Sequence, residues 1–153
     1  MELDRIDRAI LRALQADGRL TIQALADRVG LSATPCRRRV QMLEDAGAIR
    51  GYRAVVDPAA VDAPLKLYAF VKLVQRTNAH LDAFEAAVRA SPEILSCELV
   101  TGVHDYLISI RLPAIEHYDA FLRRVLADIP SVAEISTSIV VATVKDPGGP
   151  VPV

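Results

Sequence analysis

The chain has little of what catalytic and metal centres are built from. Its 153 residues include two cysteines, Cys36 and Cys97, far apart and without CxxC spacing, and three scattered histidines. That pattern offers no metal site and predicts a reduced cytosolic compartment. There is no Ser/His/Asp set, no activated Cys–His pair and no phosphate loop, so an enzyme reading has no residues to rest on and no cofactor is expected. No apolar run approaches the roughly 18 residues of a membrane span, and no signal peptide is visible. A cytoplasmic protein without membrane contact is the expectation. Residues 1–53 also lack lysine: they carry ten arginines against seven acids, whereas residues 54–153 carry eight basic and twelve acidic residues. The net charge of −1 thus hides a positive front half on a negative back half, which suits a DNA-binding head on a non-binding body. What the chain does have is apolar surface. At 52% hydrophobic and 24% charged, it can bury a core and is not disordered.

The front half carries the strongest pattern. Thr21 to Gly51 reads TIQALADRVGLSATPCRRRVQMLEDAGAIRG. A short helix (Ile22, Leu25, Ala26, Val29) stops at Gly30, a Leu31-Ser32 turn follows, and a second helix carries Arg37, Arg38 and Arg39 before Gly47. This is the helix-turn-helix arrangement, whose second helix fits the DNA major groove. A first helix, about Leu3 to Ala16, precedes it with Asp4 as N-cap; Thr21 and Ser32 cap the next two. At about 100° per residue, Cys36, Val40 and Leu43 share the inward face of the third helix, and Thr34, Arg38 and Gln41 lie opposite with Arg37 beside them. Arg39 sits on the shoulder, within reach of either a phosphate or an acid of its own domain. The DNA-contacting set is therefore Thr21, Ser32, Thr34, Pro35, Arg37, Arg38, Arg39 and Gln41, with double-stranded DNA as partner. The competing reading is a solvated face whose arginines pair with Glu44 or Asp45. Alternation from Ile49 to Val56 suggests a short strand or wing, which Asp57-Pro58 breaks.

The domain plan is a winged helix-turn-helix over 1–53, a linker over 54–64, a second domain over 65–145 and a flexible tail over 146–153. In the second domain LKLYAFVKLV reads as a strand, Ala79 to Ala90 as a helix, ILSCELVT and YLISIRL as a hairpin pair, the stretch from Pro113 to Pro130 as a helix, and VAEISTSIVVATV as the last strand. The order β-α-β-β-α-β is the ferredoxin-like unit, giving an α+β protein overall. Leu67, Ala69, Val71 and Leu73 line one face of the first strand, while Tyr68, Phe70 and Val74 share the other with only Lys66 and Lys72. Two helices cover one face, so a second copy is expected on the other, making a homodimer. The hairpin turn Thr101–Tyr106 is the one candidate ligand site. A plain turn is its default reading. Its chemistry also fits an α-amino acid: amides beside Gly102 for a carboxylate, Asp105 for an ammonium, and a hydroxyl from Thr137 on a strand nearby.

Several segments in one order resemble the leucine-responsive/asparagine-regulator (Lrp/AsnC, or feast/famine) family of transcription factors. They are LDRIDRAILRALQADGR, LSATPCRRRVQMLEDAGAIRGY, VDAPL, TGVHDYLI and the Thr137 to Lys145 stretch. The resemblance covers about residues 2 to 145 and is strongest to the leucine-responsive branch. It implies a sequence-specific DNA-binding regulator modulated by an amino-acid effector bound between subunits, in dimers that assemble further, commonly to octamers. Carried over residue by residue, effector contact falls on Gly102, Val103, His104, Asp105, Tyr106 and Thr137. Val103 and His104 depart from the family, which often has an acidic or small residue and then an aromatic at those positions. Two other readings stand beside this one. The first is an amino-acid-binding oligomeric module whose front domain serves protein contacts. The second, ranked last, is a small ferredoxin-like enzyme.

Overall fold

The computed structural model describes residues 2–75, 77–127, 129, 131–145 and 151–153. The chain forms two compact units, one of residues 1–55 with 144–153 and one of residues 56–143.

The first unit holds three helices, α1 (Arg5–Ala16), α2 (Ile22–Val29) and α3 (Ala33–Asp45). Asp4 caps α1 in a reciprocal capping box: its carboxylate accepts from Asp7 N at 2.8 Å, and Asp7 accepts from Asp4 N at 3.2 Å. Thr21 caps α2 through Ala24 N. Gly30 ends α2 in the left-handed region (φ +71°), where a Cβ would be strained, and sends the chain directly into α3. Ile10, Leu11, Ala13, Leu25, Ala26, Cys36, Val40 and Leu43 close into one core. Helical spacing places Cys36, Val40 and Leu43 inward, and the structure agrees. Two expectations change. Ser32 occupies the N-cap position of α3, but its hydroxyl makes no cap hydrogen bond. Residues 51–57 form no strand. Their alternation has no neighbouring strand to pair with among the described residues, and alternation alone does not make a sheet.

The second unit begins after a 3-10 turn at Pro58–Val61, inside the expected linker. Its elements are β1 (Leu65–Leu73), α4 (Asn78–Arg89), β2 (Ile94–Leu99), β3 (Tyr106–Leu112), α5 (Tyr118–Leu122) and β4 (Val132–Ile139). The strands form one antiparallel sheet ordered β2-β3-β1-β4, the ferredoxin-like order. Phe84 and Val88 of α4, and Phe121, Val125 and Leu126 in and after α5, pack on Leu67, Ala69, Val71 and Leu73 of β1. The helix at α5 is preceded by a 3-10 turn at Ile115–His117 and widens into π-type turns over Arg123–Ala127. Its expected stop at Pro130 lies outside the described residues, as do residues 146–150 of the expected tail.

The last strand is shorter than its apolar run. Ile139 pairs with Leu67, Val140 N donates to Lys66 O at 3.0 Å, and β1 itself starts at Leu65. Beyond that point β4 has no partner, and Val141 and Val144 are exposed. The outward residues of β4 are thus Glu134, Ser136 and Ser138, not an apolar row. What remains apolar on the uncovered sheet face is a centre of Tyr68, Phe70 and Leu107, all half-buried within the single chain.

Candidate functional site

The outward face of α3 is built by what its inward face must do. Cys36, Val40 and Leu43 are buried, and the helical period then sends Thr34, Arg37, Arg38 and Gln41 to solvent, where all four are exposed. Ser32 is exposed at the helix start, Pro35 is half-buried in the first turn, and no acid lies in that turn. The positive end of the helix is therefore clear for an anion. The competing pairing of the arginines with Glu44 or Asp45 is not what forms. Glu44 accepts from the Tyr52 hydroxyl at 2.9 Å and Asp45 from the Gln41 amide at 2.9 Å. Among the described residues neither Arg37 nor Arg38 enters an ion pair. Thr21, placed by sequence with the DNA contacts, already uses its hydroxyl on Ala24 N at 3.2 Å.

Arg39 turns the other way. Its Nη1 lies 2.7 Å from Asp4 Oδ2 and 2.7 Å from Asp7 Oδ1. The carboxylates that cap α1 thus also brace α3, and of the two roles open to Arg39 the structure shows the acid of its own domain. Helical spacing could place Arg39 on a shoulder but could not name partners 32 and 35 residues away. The Asp7 backbone N–H, then the Arg39 guanidinium, hold the Asp4 carboxyl below its ordinary value. A carboxyl depressed in the folded state adds stability above its unfolded pKa and loses it as pH falls through the folded one. Arg39→Ala should lower the Tm of this unit by a few degrees at neutral pH. The gap from wild type should close on acidification, as seen in thermal melts across a pH series. A gap unchanged in acid would mean the brace contributes by packing alone.

The hairpin of the second unit divides its expected ligands. Gly102 (φ +124°), Val103 and Thr101 are exposed, and Val103 is 76% accessible. His104 is half-buried with its ring 5.3 Å from that of Phe70, on the uncovered face of the sheet. Asp105, expected to meet an ammonium, is turned inward within the single chain. It is 2% exposed and its Oδ2 accepts from Leu73 N at 2.7 Å. Its own N–H donates to Val71 O, and its carbonyl accepts from Val100 N, each at 2.8 Å. Asp105 therefore ties the start of β3 to both β1 and β2. Tyr106 is buried against Phe84 and donates its hydroxyl to Glu85 Oε1 at 3.1 Å. Burial first, then Glu85, pushes its phenol up to about 12. Thr137 lies one strand beyond β1, opposite Ala69, and shares a 2.6 Å hydrogen bond with the Tyr118 hydroxyl. Two strand spacings, about 10 Å, separate it from the β3 side of the sheet. One chain therefore does not bring Thr137 to the hairpin.

A cleft of about 360 Å³ opens between α4 and the edge strand β2, and Glu85, Arg89, Cys97 and Tyr106 are among its lining residues. Burial, then Glu98, pushes the Cys97 thiol up to about 11, and burial raises Cys36 as well. Neither sulfur is poised as a thiolate. Among the described residues no His/Cys/Asp/Glu group could hold a metal ion, and no helix is long and apolar enough to cross a membrane.

One face of α3 is locked into a three-helix core and the other carries arginines, an arrangement that suits a helix-turn-helix DNA-binding unit. With a ferredoxin-like unit following in the same chain, the protein is a DNA-binding transcription regulator that carries a ligand-binding domain. Residues 3–50 match the family model for a winged helix-turn-helix DNA-binding domain, and residues 66–150 match that for the Lrp/AsnC ligand binding domain. The chain belongs to the Lrp/AsnC family. It is 42% identical to the leucine-responsive regulatory protein of Salmonella typhimurium, over 94% of this chain and 88% of that protein. It is 39% identical to the proline dehydrogenase transcriptional activator of Rhizobium radiobacter, over 96% and 94%. The fold matches a Neisseria meningitidis transcriptional regulator, solved as a complex with L-methionine, at a TM-score of 0.91 and 36% identity, covering 95% and 94% of the two chains.

Proposed function

We propose that two copies of this chain close their open sheet faces on one another, and that an α-amino acid held between copies at the hairpin sets how the two α3 helices meet DNA. The observation that carries this reading is the outward row of α3, with Arg37 and Arg38 exposed and in no ion pair among the described residues while its back is packed. A dimer would present two such rows to half-sites about 34–36 Å apart, or a multiple of that spacing. Thr34, Arg37, Arg38 and Gln41 are the reading and positioning residues, Ser32 and Pro35 flank them at the helix start, and Thr21 and Arg39 act by shaping the unit.

On the ligand side, the exposed Gly102 and Val103 amides and the half-buried His104 are the contacts, and Asp105 and Tyr106 position them. Thr137 would have to be supplied by another copy, which favours a cleft between subunits. The centre of Tyr68, Phe70 and Leu107 supports the dimer, because a lone chain should not leave such a patch in water. Further assembly to octamers, and a cytoplasmic location, follow from the family reading. Leucine and methionine are the first effectors to try, since relatives are leucine-responsive or were solved with L-methionine.

The test is a thermal-shift screen of the full chain against the twenty amino acids, with light scattering at micromolar concentration. A ligand that binds only the folded state at a hundred times its Kd adds about 2.7 kcal/mol. The expected result is a clear rise for one or a few apolar amino acids and a mass of at least twice 16.6 kDa. A monomer would remove the shared cleft. No shift with any amino acid would remove the effector.

A further inference from the structure

The first unit is made from two stretches of chain, residues 1–55 and residues 144–153. Val151, Pro152 and Val153 line one side of a groove of about 320 Å³ whose other side is Arg12, Gln15 and Ala16 of α1. The contact is specific in its chemistry. Gln15 Nε2 donates to Val151 O at 3.1 Å, and Val151 N donates to Gln15 Oε1 at 2.6 Å. A side-chain carboxamide thus pairs with a backbone amide as a neighbouring strand would, using donor and acceptor at once. Arg12 Nη1 donates to Val153 O at 3.4 Å, and Val153 packs against the core of the unit. Pro152 restricts the segment before it binds, which reduces the entropy lost on ordering it.

We propose that this face of α1 is a peptide receptor whose occupant is the chain's own Val151–Val153. Gln15 reads the backbone of the segment and the core reads Val153. The segment thereby belongs to the same compact unit as α1, although it follows the second unit in sequence. This does not depend on which amino acid is sensed.

Amide exchange on the full chain, followed by NMR, tests it. The Val151 N–H should exchange about tenfold or more slowly than an unstructured amide. Gln15→Ala should abolish that protection while the interior amides of α1 stay protected, which shows that the helix is still folded. Gln15→Glu retains the acceptor for Val151 N but loses the donor, and should keep only part of the protection. Equal Val151 exchange in wild type and Gln15→Ala would overturn the receptor. In oligomers mixed from labelled and unlabelled chains, contacts between Val151 of one chain and Gln15 of another would overturn the assignment to the chain's own segment; contacts confined within one chain would support it.

Discussion

Arg37→Ala with Arg38→Ala should abolish operator recognition at moderate salt and leave the fold intact. Both side chains are exposed and, among the described residues, in no ion pair, while the residues that hold α3 in place lie on its other face. Surface changes of this kind shift stability by no more than about 0.5 kcal/mol. The DNA effect is far larger. A good bidentate arginine–base contact discriminates by about 1–3 kcal/mol, so two lost contacts cost roughly thirtyfold at the least and about ten-thousandfold or more at the top of that range. If the arginines meet phosphates instead, each lost contact flattens the dependence of log K on log salt by about 0.9. Fluorescence anisotropy against specific and random duplexes over a salt series separates the two roles. Loss confined to the specific duplex assigns base reading, and an equal loss on both duplexes with a flatter slope assigns phosphate contact. Unchanged affinity on both would remove this face of α3 from DNA.

The second large effect is expected at Asp105. Asp105→Ala should abolish the response to an amino acid while the effector-free protein still binds DNA. On the proposed reading Asp105 acts by placing the hairpin. The buried carboxylate accepts from Leu73 N, and removing an acceptor from a buried N–H costs about 1–3 kcal/mol. That is comparable to the 1–3 kcal/mol, roughly, by which effectors commonly couple to a second site. Asp105→Asn distinguishes the roles. An asparagine oxygen can still accept from Leu73 N, so the response should largely survive if Asp105 positions the hairpin. Should the carboxylate instead meet the ammonium of the effector, Asn would fail as Ala does. Thermal shift with the active amino acid, beside anisotropy with DNA, reads both outcomes.

These two sites also show how far the sequence could be read. On α3 one period decides everything: Cys36, Val40 and Leu43 go in, so Thr34, Arg38 and Gln41 go out, and the structure agrees. Asp4 as a cap was legible for the same local reason. Arg39 was not, because its partners belong to another helix and only the packing of α1 on α3 brings them near. At the hairpin, Gly102 and Asp105 mark a turn, but the direction of the Asp105 side chain depends on the register of three strands, which no local pattern encodes. The end of β4 was misjudged for a related reason. Its apolar residues continue past Ile139, yet strand length is set by the partner, and β1 begins at Leu65. The seat of Val151 on Gln15 joins positions 136 apart and left no signal in composition at all.

Thr34, Arg37, Arg38 and Gln41 on the outward row of α3 are all exposed, outside the buried core of their unit, and Gln41 bonds to its neighbour Asp45. Those four positions can therefore be randomised together without first stabilising the scaffold. Variants selected on new operators would differ in the sequence they recognise and melt alike, which makes this small helical head a platform for retargeting.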